Sequence, residues 1–379
     1  MWLAYCLTLY LIILSVVYYT NYDFPSPERE ELVCHTYRDK VYIFLVFAPL
    51  ILFSCLRGEM IGSDTPNYAM YYELISGHVI TGGFGVAIVT RLEPGFVFLI
   101  RVLSLISLSP QILIITTSLF FMCSFVRFIS KYSIMPWLSA IMFFSLHFNG
   151  SMNVMRQYVA IGILLFSFDY ILQNKFKKFL ILVFLAVMFH YTSIVFLGAY
   201  FLRNMKVSSA LLKKVLGLMP VAVVLSYVLL RIVLGIFHAY GLYDYYDDQN
   251  EHIAGGAKLA TVIELLLALL VIFISNHAWG ILRQDTSANL GPVNNILFLF
   301  SLVGLGMIAI SFPFNLLSRL GTFFLIFNCV LLPNAVYEMS KQRNVRFLCI
   351  FLCVLYCSYY LVVNTIRPEW SSIYPYSFY

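Results

Sequence analysis

The sequence predicts an all-α polytopic integral membrane protein, with about 10–12 transmembrane helices plus re-entrant or half-helices around a cavity. Three observations predict it. Of 379 residues, 61% are hydrophobic and only 11% are charged, less than half the roughly 25% of a soluble domain. The mean hydropathy of +0.87 is gathered into separate apolar runs. The lysines and arginines, which give a formal net charge of +6, bunch in short clusters between those runs and so report topology. This composition excludes a water-soluble enzyme, a disordered chain and a fibrous repeat. No stretch is polar enough for a separate soluble domain, so 1–379 reads as a single transmembrane domain.

A spanning helix needs about 20 apolar residues. The runs that qualify are 2–19, 40–56, 110–130, 134–148, 153–172, 211–237, 259–279, 292–311, 314–338 and 346–366. The first has no Lys or Arg ahead of it. It lacks the basic start of a signal peptide and reads as a retained helix. Two runs are awkward. Residues 94–108 are short and follow Glu93-Pro94-Gly95, and 178–203 are long but interrupted by Phe189-His190-Tyr191-Thr192-Ser193. The eight cysteines sit mostly inside apolar runs and read as small buried hydrophobes, including Cys349, Cys353 and Cys357 on one helix face.

Orientation follows the basic clusters: Lys175, Lys177 and Lys178; Arg203, Lys206, Lys213 and Lys214; Lys341, Arg343 and Arg346. These are expected in the cytoplasm. The loop 238–258 carries Asp244, Asp247, Asp248 and Glu251 and is expected outside, as is the loop 57–93. Two basic clusters flank the single run 178–203, so both reach the cytoplasm only if the run turns back near His190. The same reasoning makes 94–108 dip in from outside and return. Irregular backbone at membrane depth is tolerated where it lines a cavity. Both irregularities therefore predict a cavity open to the outer face. The aromatic segment after 367, with Trp370, Tyr374, Tyr376, Phe378 and Tyr379, is expected to lie at the membrane interface.

The informative residues are charges at or inside apolar runs: Arg57, Asp64, Arg91, Glu93, Arg101, Arg156, His190 and Arg319. An Arg or Asp at mid-membrane costs about 2.5–3.5 kcal/mol, so half a dozen facing lipid would cost roughly 15–20 kcal/mol. They must face one another, a polar cavity or the headgroups. Several arginines facing one cavity suit a dianionic ligand, because guanidinium groups bind phosphate bidentately and stay charged. Each has a plainer alternative. Arg57, Arg156 and Arg319 stand at helix ends and could anchor at headgroups, and Arg101 could snorkel. Gly62-Ser63-Asp64 could be a simple turn. His190 could be a core histidine, and Glu93 could cap the helix that follows. The acidic cluster 244–251 reads as a solvated face, and Glu264 and Asp169 as structural. No nucleotide motif and no metal-ligand pattern is present, so no metal and no cofactor is expected, and nothing suggests nucleic acid.

Five motifs occur in order: Arg57 with Gly62-Ser63-Asp64-Thr65-x-x-Tyr68; Glu93-x-Gly95-Phe96; Met155-Arg156-Gln157-x-x-Ala160; Phe189-His190-x-x-Ser193; and Tyr374-Pro375-Tyr376-x-Phe378. By them the chain resembles the EpsG family, which is similar to the Wzy-type polymerases of bacterial O-antigen, capsule and exopolysaccharide. The resemblance covers nearly the whole chain. The commoner form of the first motif has Gly-Thr-Asp; Ser63 keeps the hydroxyl.

The resemblance implies an inner-membrane enzyme whose active site faces the periplasm. It would transfer the growing glycan from undecaprenyl diphosphate to the non-reducing end of a new lipid-linked repeat unit. A membrane protein that regulates chain length is the implied partner. On this reading Asp64, Glu93 and His190 are the candidate bases. Arg57, Arg91, Arg156 and Arg319 hold the diphosphate, and Tyr68 and Gln157 complete the substrate contacts. The rivals are a flippase for lipid-linked oligosaccharide, a glycan ligase, and a transferase using a lipid-monophosphate sugar.

Overall fold

A computed structural model describes residues 1–20, 37–77, 92–239, 255–283, 289–313, 317–341 and 343–379. Arg91, most of the acidic loop 238–258 and part of the loop 57–93 therefore lie outside the described residues. The protein is an all-α polytopic membrane protein. Among the described residues, seven helices are long and apolar enough to cross a membrane, or eight if one bent pair counts as a single span. The described chain forms two compact units, Met1–Leu197 with Ser340–Tyr379, and Gly198–Met339.

In the first unit the helices are α1 (Trp2–Thr20), α2 (Tyr37–Cys55), α3 (Thr65–Ser76), α4 (Pro94–Ser104), α5 (Gln111–Tyr132), α6 (Pro136–Leu146), α7 (Phe148–Asn153), α8 (Met155–Leu172) and α9 (Phe176–Val187). A 3-10 stretch, Tyr191–Gly198, follows α9, and α10 (Ala199–Leu202) begins the second unit. The second unit continues with α11 (Ser209–Ala239), α12 (Gly255–Trp279), α13 (Gly291–Ile310), α14 (Ser318–Leu325) and α15 (Asn328–Ser340). Last comes α16 (Arg346–Ile366), which belongs to the first unit.

Several of the apolar runs are broken into shorter helices, as the expectation of half-helices requires. α4 has 11 residues, about 16 Å at 1.5 Å per residue, half of the roughly 30 Å hydrocarbon core. The run 134–148 gives an 11-residue α6 and then the six-residue α7. The run 178–203 breaks at Met188–His190, the place its polar interruption predicts. The run 314–338 bends by 47° between α14 and α15. Proline sets several starts, standing in the first two positions of α3, α4, α6 and α13. There its missing N–H is no loss and its fixed φ suits the helix.

Helices α5, α8 and α9 pack side by side, and α2 lies against α5 and α6. α16 lies against α6 and α1, and α3 against α4. One buried cluster joins the short helices to the long ones: Tyr68, Tyr72 and Ile75 from α3, Phe96, Val97 and Ile100 from α4, Leu113 and Ile114 from α5, and Met155 from α8, with Phe189 packed against it. This cluster fixes where the ends of α3, α4 and α8 meet. Toward the other end of α8, about 20 Å away at 1.5 Å per residue, Asp169 is ion-paired to Arg127 and Lys131 and accepts a hydrogen bond from Tyr132.

In the second unit α13 packs against α11, α12 and α14. Asn295 ties the chain before α11 to α13: its side chain accepts from the Val207 N–H at 2.9 Å and donates to the Met205 carbonyl at 2.8 Å.

Candidate functional site

Three interruptions of helix meet at the site, and each has a local cause. Glu93 is extended (φ −66°, ψ 143°), as a residue before proline prefers. Pro94 then opens α4, and the Glu93 carbonyl accepts the N–H groups of Phe96 and Val97 at 3.0 and 3.1 Å. Val154 leaves the helical region (ψ 61°) between α7 and α8. Met188–His190 separate α9 from the 3-10 stretch.

The first and third interruptions are bolted together. Gly95 donates its N–H to the Met188 carbonyl at 2.8 Å. A Cβ at Gly95 would stand 2.7 Å from that carbonyl oxygen, so no larger residue fits without moving backbone. Gly95→Ala is expected to cost about 1–3 kcal/mol, as other over-packed contacts do. The control is Gly217→Ala in α11, where nothing lies within 4 Å and alanine should be neutral or better. Thermal unfolding of the two purified variants in detergent checks this.

The Glu93 side chain does not cap α4. It is buried, 3% exposed, and turns to three donors. Oε2 accepts a charged hydrogen bond from Arg156 Nη1. Oε1 lies 3.3 Å from His190 Nδ1 and 3.4 Å from the Tyr191 backbone N–H. Burial raises the tendency of this carboxyl to hold a proton, but the His190 hydrogen bond and the Arg156 charge outweigh it and hold Glu93 below the usual carboxylate range. Arg156 in turn stands over the Tyr68 ring, 5.5 Å from its centre, and donates from Nε to the Tyr68 hydroxyl at 3.4 Å. Tyr68 is itself wedged against Phe96, ring centres 5.6 Å apart. The guanidinium is thus aimed from two sides. The Arg156 side chain keeps 24% of its surface open and that of His190 16%.

The second interruption holds the turn that leads into α3. Asn153 Oδ1 accepts from the Ser63 hydroxyl at 3.1 Å and from the Asp64 backbone N–H at 2.9 Å. The Met152 carbonyl accepts from Thr65 Oγ1 at 3.3 Å and from Arg57 Nη2 at 3.0 Å. Gly62 has φ +97°, and a Cβ there would meet Thr65 and Asn153. Glycine is therefore required on both conformational and steric grounds. Asp64 occupies the cap position of α3 but makes no side-chain cap bond. Its carboxylate is half-buried.

The structure thus brings together Glu93, His190, Arg156 and Tyr68, with the Asp64 backbone held three residues before Arg156. Arg57 goes elsewhere. It is completely buried and donates to Ser54, Ser118 and Met152. Burial pulls its guanidinium down to about 10, which still leaves it charged at neutral pH. Arg57 knits α2, α5 and the end of α7 and offers no surface to a ligand. Gln157 is buried, 2% exposed. Arg319 is exposed at the start of α14 in the second unit. Arg91 lies outside the described residues. Asn153 stands out in the sequence as a polar side chain opening the run 153–172, but nothing in one sequence links it to residues 63–64, about ninety positions upstream.

The protein is a polytopic helical membrane protein with an Arg–Glu–His cluster at breaks in its helices. Residues 40–378 match the model of the EpsG family. The chain belongs to that family, and so to the membrane polysaccharide polymerases. No curated protein and no solved structure matches the chain.

Proposed function

We propose that the protein joins lipid-linked repeat units at the periplasmic face of the bacterial inner membrane. The growing glycan passes from undecaprenyl diphosphate to the non-reducing end of a lipid-linked unit, without metal or nucleotide. The observation that carries this reading is the Arg156–Glu93–His190 cluster.

The chemistry follows from it. Glu93 is a poor base, since both its oxygens are engaged and its carboxyl is held below its usual range. It serves to orient His190. In the tautomer that carries its proton on Nδ1, 3.3 Å from Glu93 Oε1, the basic nitrogen of the imidazole is Nε2. The acceptor sugar hydroxyl attacks the anomeric carbon of the donor glycan as His190 Nε2 takes its proton. The bond from that carbon to the diphosphate oxygen breaks, and the electron pair leaves with the lipid diphosphate. Arg156 neutralises the charge growing there, usually the largest catalytic term. Tyr68 stands beside it, and Tyr68 and Asp64 are assigned to the acceptor side. Arg91 and Arg319 are diphosphate candidates on the sequence resemblance alone. The expected partner is a membrane protein that sets chain length.

The test is reconstitution of the purified protein with a lipid-linked repeat unit and no added metal or nucleotide. A ladder of polymer is expected. Translocation of the unit across the vesicle membrane with no new glycosidic bond would replace this reading with that of a flippase.

A further inference from the structure

The segment 368–379 packs against the protein itself. It returns to the loop that carries Gly62-Ser63-Asp64 and runs beside it. Gly58 donates its N–H to the Ser377 carbonyl at 2.9 Å, Tyr379 donates to the Leu56 carbonyl at 3.1 Å, and Arg57 and Phe378 form an antiparallel bridge. Farther along, Gly62 donates to the Ser372 carbonyl at 2.9 Å, and Ser372 takes a left-handed φ of 51°. Serine rarely adopts that conformation without a surrounding structure that holds it there.

Side chains anchor the segment at both ends. Ile373 and Tyr374 are buried, and the hydroxyls of Tyr374 and Tyr360 are hydrogen-bonded at 2.6 Å. The Tyr376 hydroxyl donates to the Phe53 carbonyl, its ring packs edge-on against Phe53, and the Tyr379 hydroxyl is bonded to Ser109 at 2.8 Å. The loop 56–62 is thus held from one side by Asn153 and Met152, and from the other by this segment.

We propose that residues 368–379 are a positioning strap for the Gly62-Ser63-Asp64 turn. They fix the backbone from Leu56 to Gly62, and through it the Ser63-Asp64 turn that Asn153 holds from the other side. That this placement serves glycosyl transfer rests on the polymerase reading above; that the strap holds the turn does not.

Two variants release the strap: removal of residues 376–379, and Gly58→Val. A Cβ at Gly58 already sits 3.0 Å from Ser377 Oγ, so the two methyl groups of valine must push the segment away. In a background with the native cysteines replaced, Ile61→Cys, 3% exposed in the strapped loop, reports on the turn. Ser133→Cys, fully buried between α5 and α6, reports on the rest of the unit. With a water-soluble maleimide, labelling at 61 is expected to rise about tenfold in both variants, as for a local opening. Labelling at 133 should change less than twofold. Polymer synthesis in the same variants should fall through kcat rather than through KM for the donor. Unchanged labelling at 61 overturns the proposal. So does a parallel rise at 133, which would mean that the segment holds the whole unit rather than the turn. Wild-type polymer rates in variants that open at 61 also overturn it. If the unaltered protein makes no polymer but 61 still opens alone, the strap stands and the polymerase reading falls.

Discussion

Arg156→Ala is expected to abolish polymer formation and to destabilise the protein by about 3–5 kcal/mol, the usual result of removing one partner of a buried pair. The cost is large because Glu93 stays behind, 3% exposed, with its charge no longer matched. Glu93→Gln in the same chain removes that stranded charge. The double variant should therefore recover most of the stability and none of the activity, since nothing replaces the guanidinium at the leaving diphosphate. Recovery of both would show that Arg156 only balances Glu93 and does no chemistry.

The pH dependence has a definite sign. Glu93 sits below the ordinary carboxylate value when folded, near 4.3 when unfolded. Its contribution is present above that unfolded value and is lost as pH falls through the lower folded one. In Arg156→Ala one cause of the lowering is gone while burial remains, so Glu93 takes up a proton at higher pH and becomes neutral. The gap in thermal unfolding temperature between wild type and Arg156→Ala should be widest near neutral pH and should narrow on acidification. A gap that widens on acidification would contradict the ion-pair account.

His190→Ala is expected to lower the polymerisation rate by about 10²–10⁴, the usual worth of a positioned base, with little change in stability. Glu93 keeps Arg156 and the Tyr191 N–H in that variant, so no buried charge is stranded. Glu93→Gln should fall in between, because glutamine keeps the shape but no longer holds the imidazole in one tautomer with a carboxylate. The measurement is kcat with the lipid-linked unit, at matched amounts of folded protein. A His190→Ala rate within a few-fold of wild type would return the role of base to Asp64, which the sequence leaves equally open.

Much of the site was legible in the sequence because charge is scarce in an apolar chain. Glu93 before Pro94-Gly95, Arg156 at the start of a run and His190 inside one all stood out, and the fold brings these three together. The same logic misassigned Arg57. It also stood at the end of an apolar run, but its partners are two serines and a carbonyl, which carry no charge and leave no trace in composition. Tyr374 and Tyr376 have the composition of an interfacial belt, and only the structure shows their hydroxyl partners, Tyr360 and the Phe53 carbonyl. Hydropathy registers apolar length and not whether the backbone stays helical along it: the run 178–203 breaks at Met188–His190, and the run 314–338 bends between α14 and α15.

The sequence by itself determined that this is a helical membrane protein, where most of its helices run, and which few charged residues needed an explanation. Those follow from energies that each residue carries alone: the cost of a charge in hydrocarbon, the helical period and the missing N–H of proline. Only the tertiary structure decided the partners. Glu93 is paired with Arg156 and lies beside His190 instead of capping α4, Arg57 is a buried strut, Asn153 holds the Ser63-Asp64 turn, and residues 372–379 lie against the loop before it. Each of these depends on a hydrogen bond or ion pair between residues far apart in the chain, and one sequence carries no record of such distances.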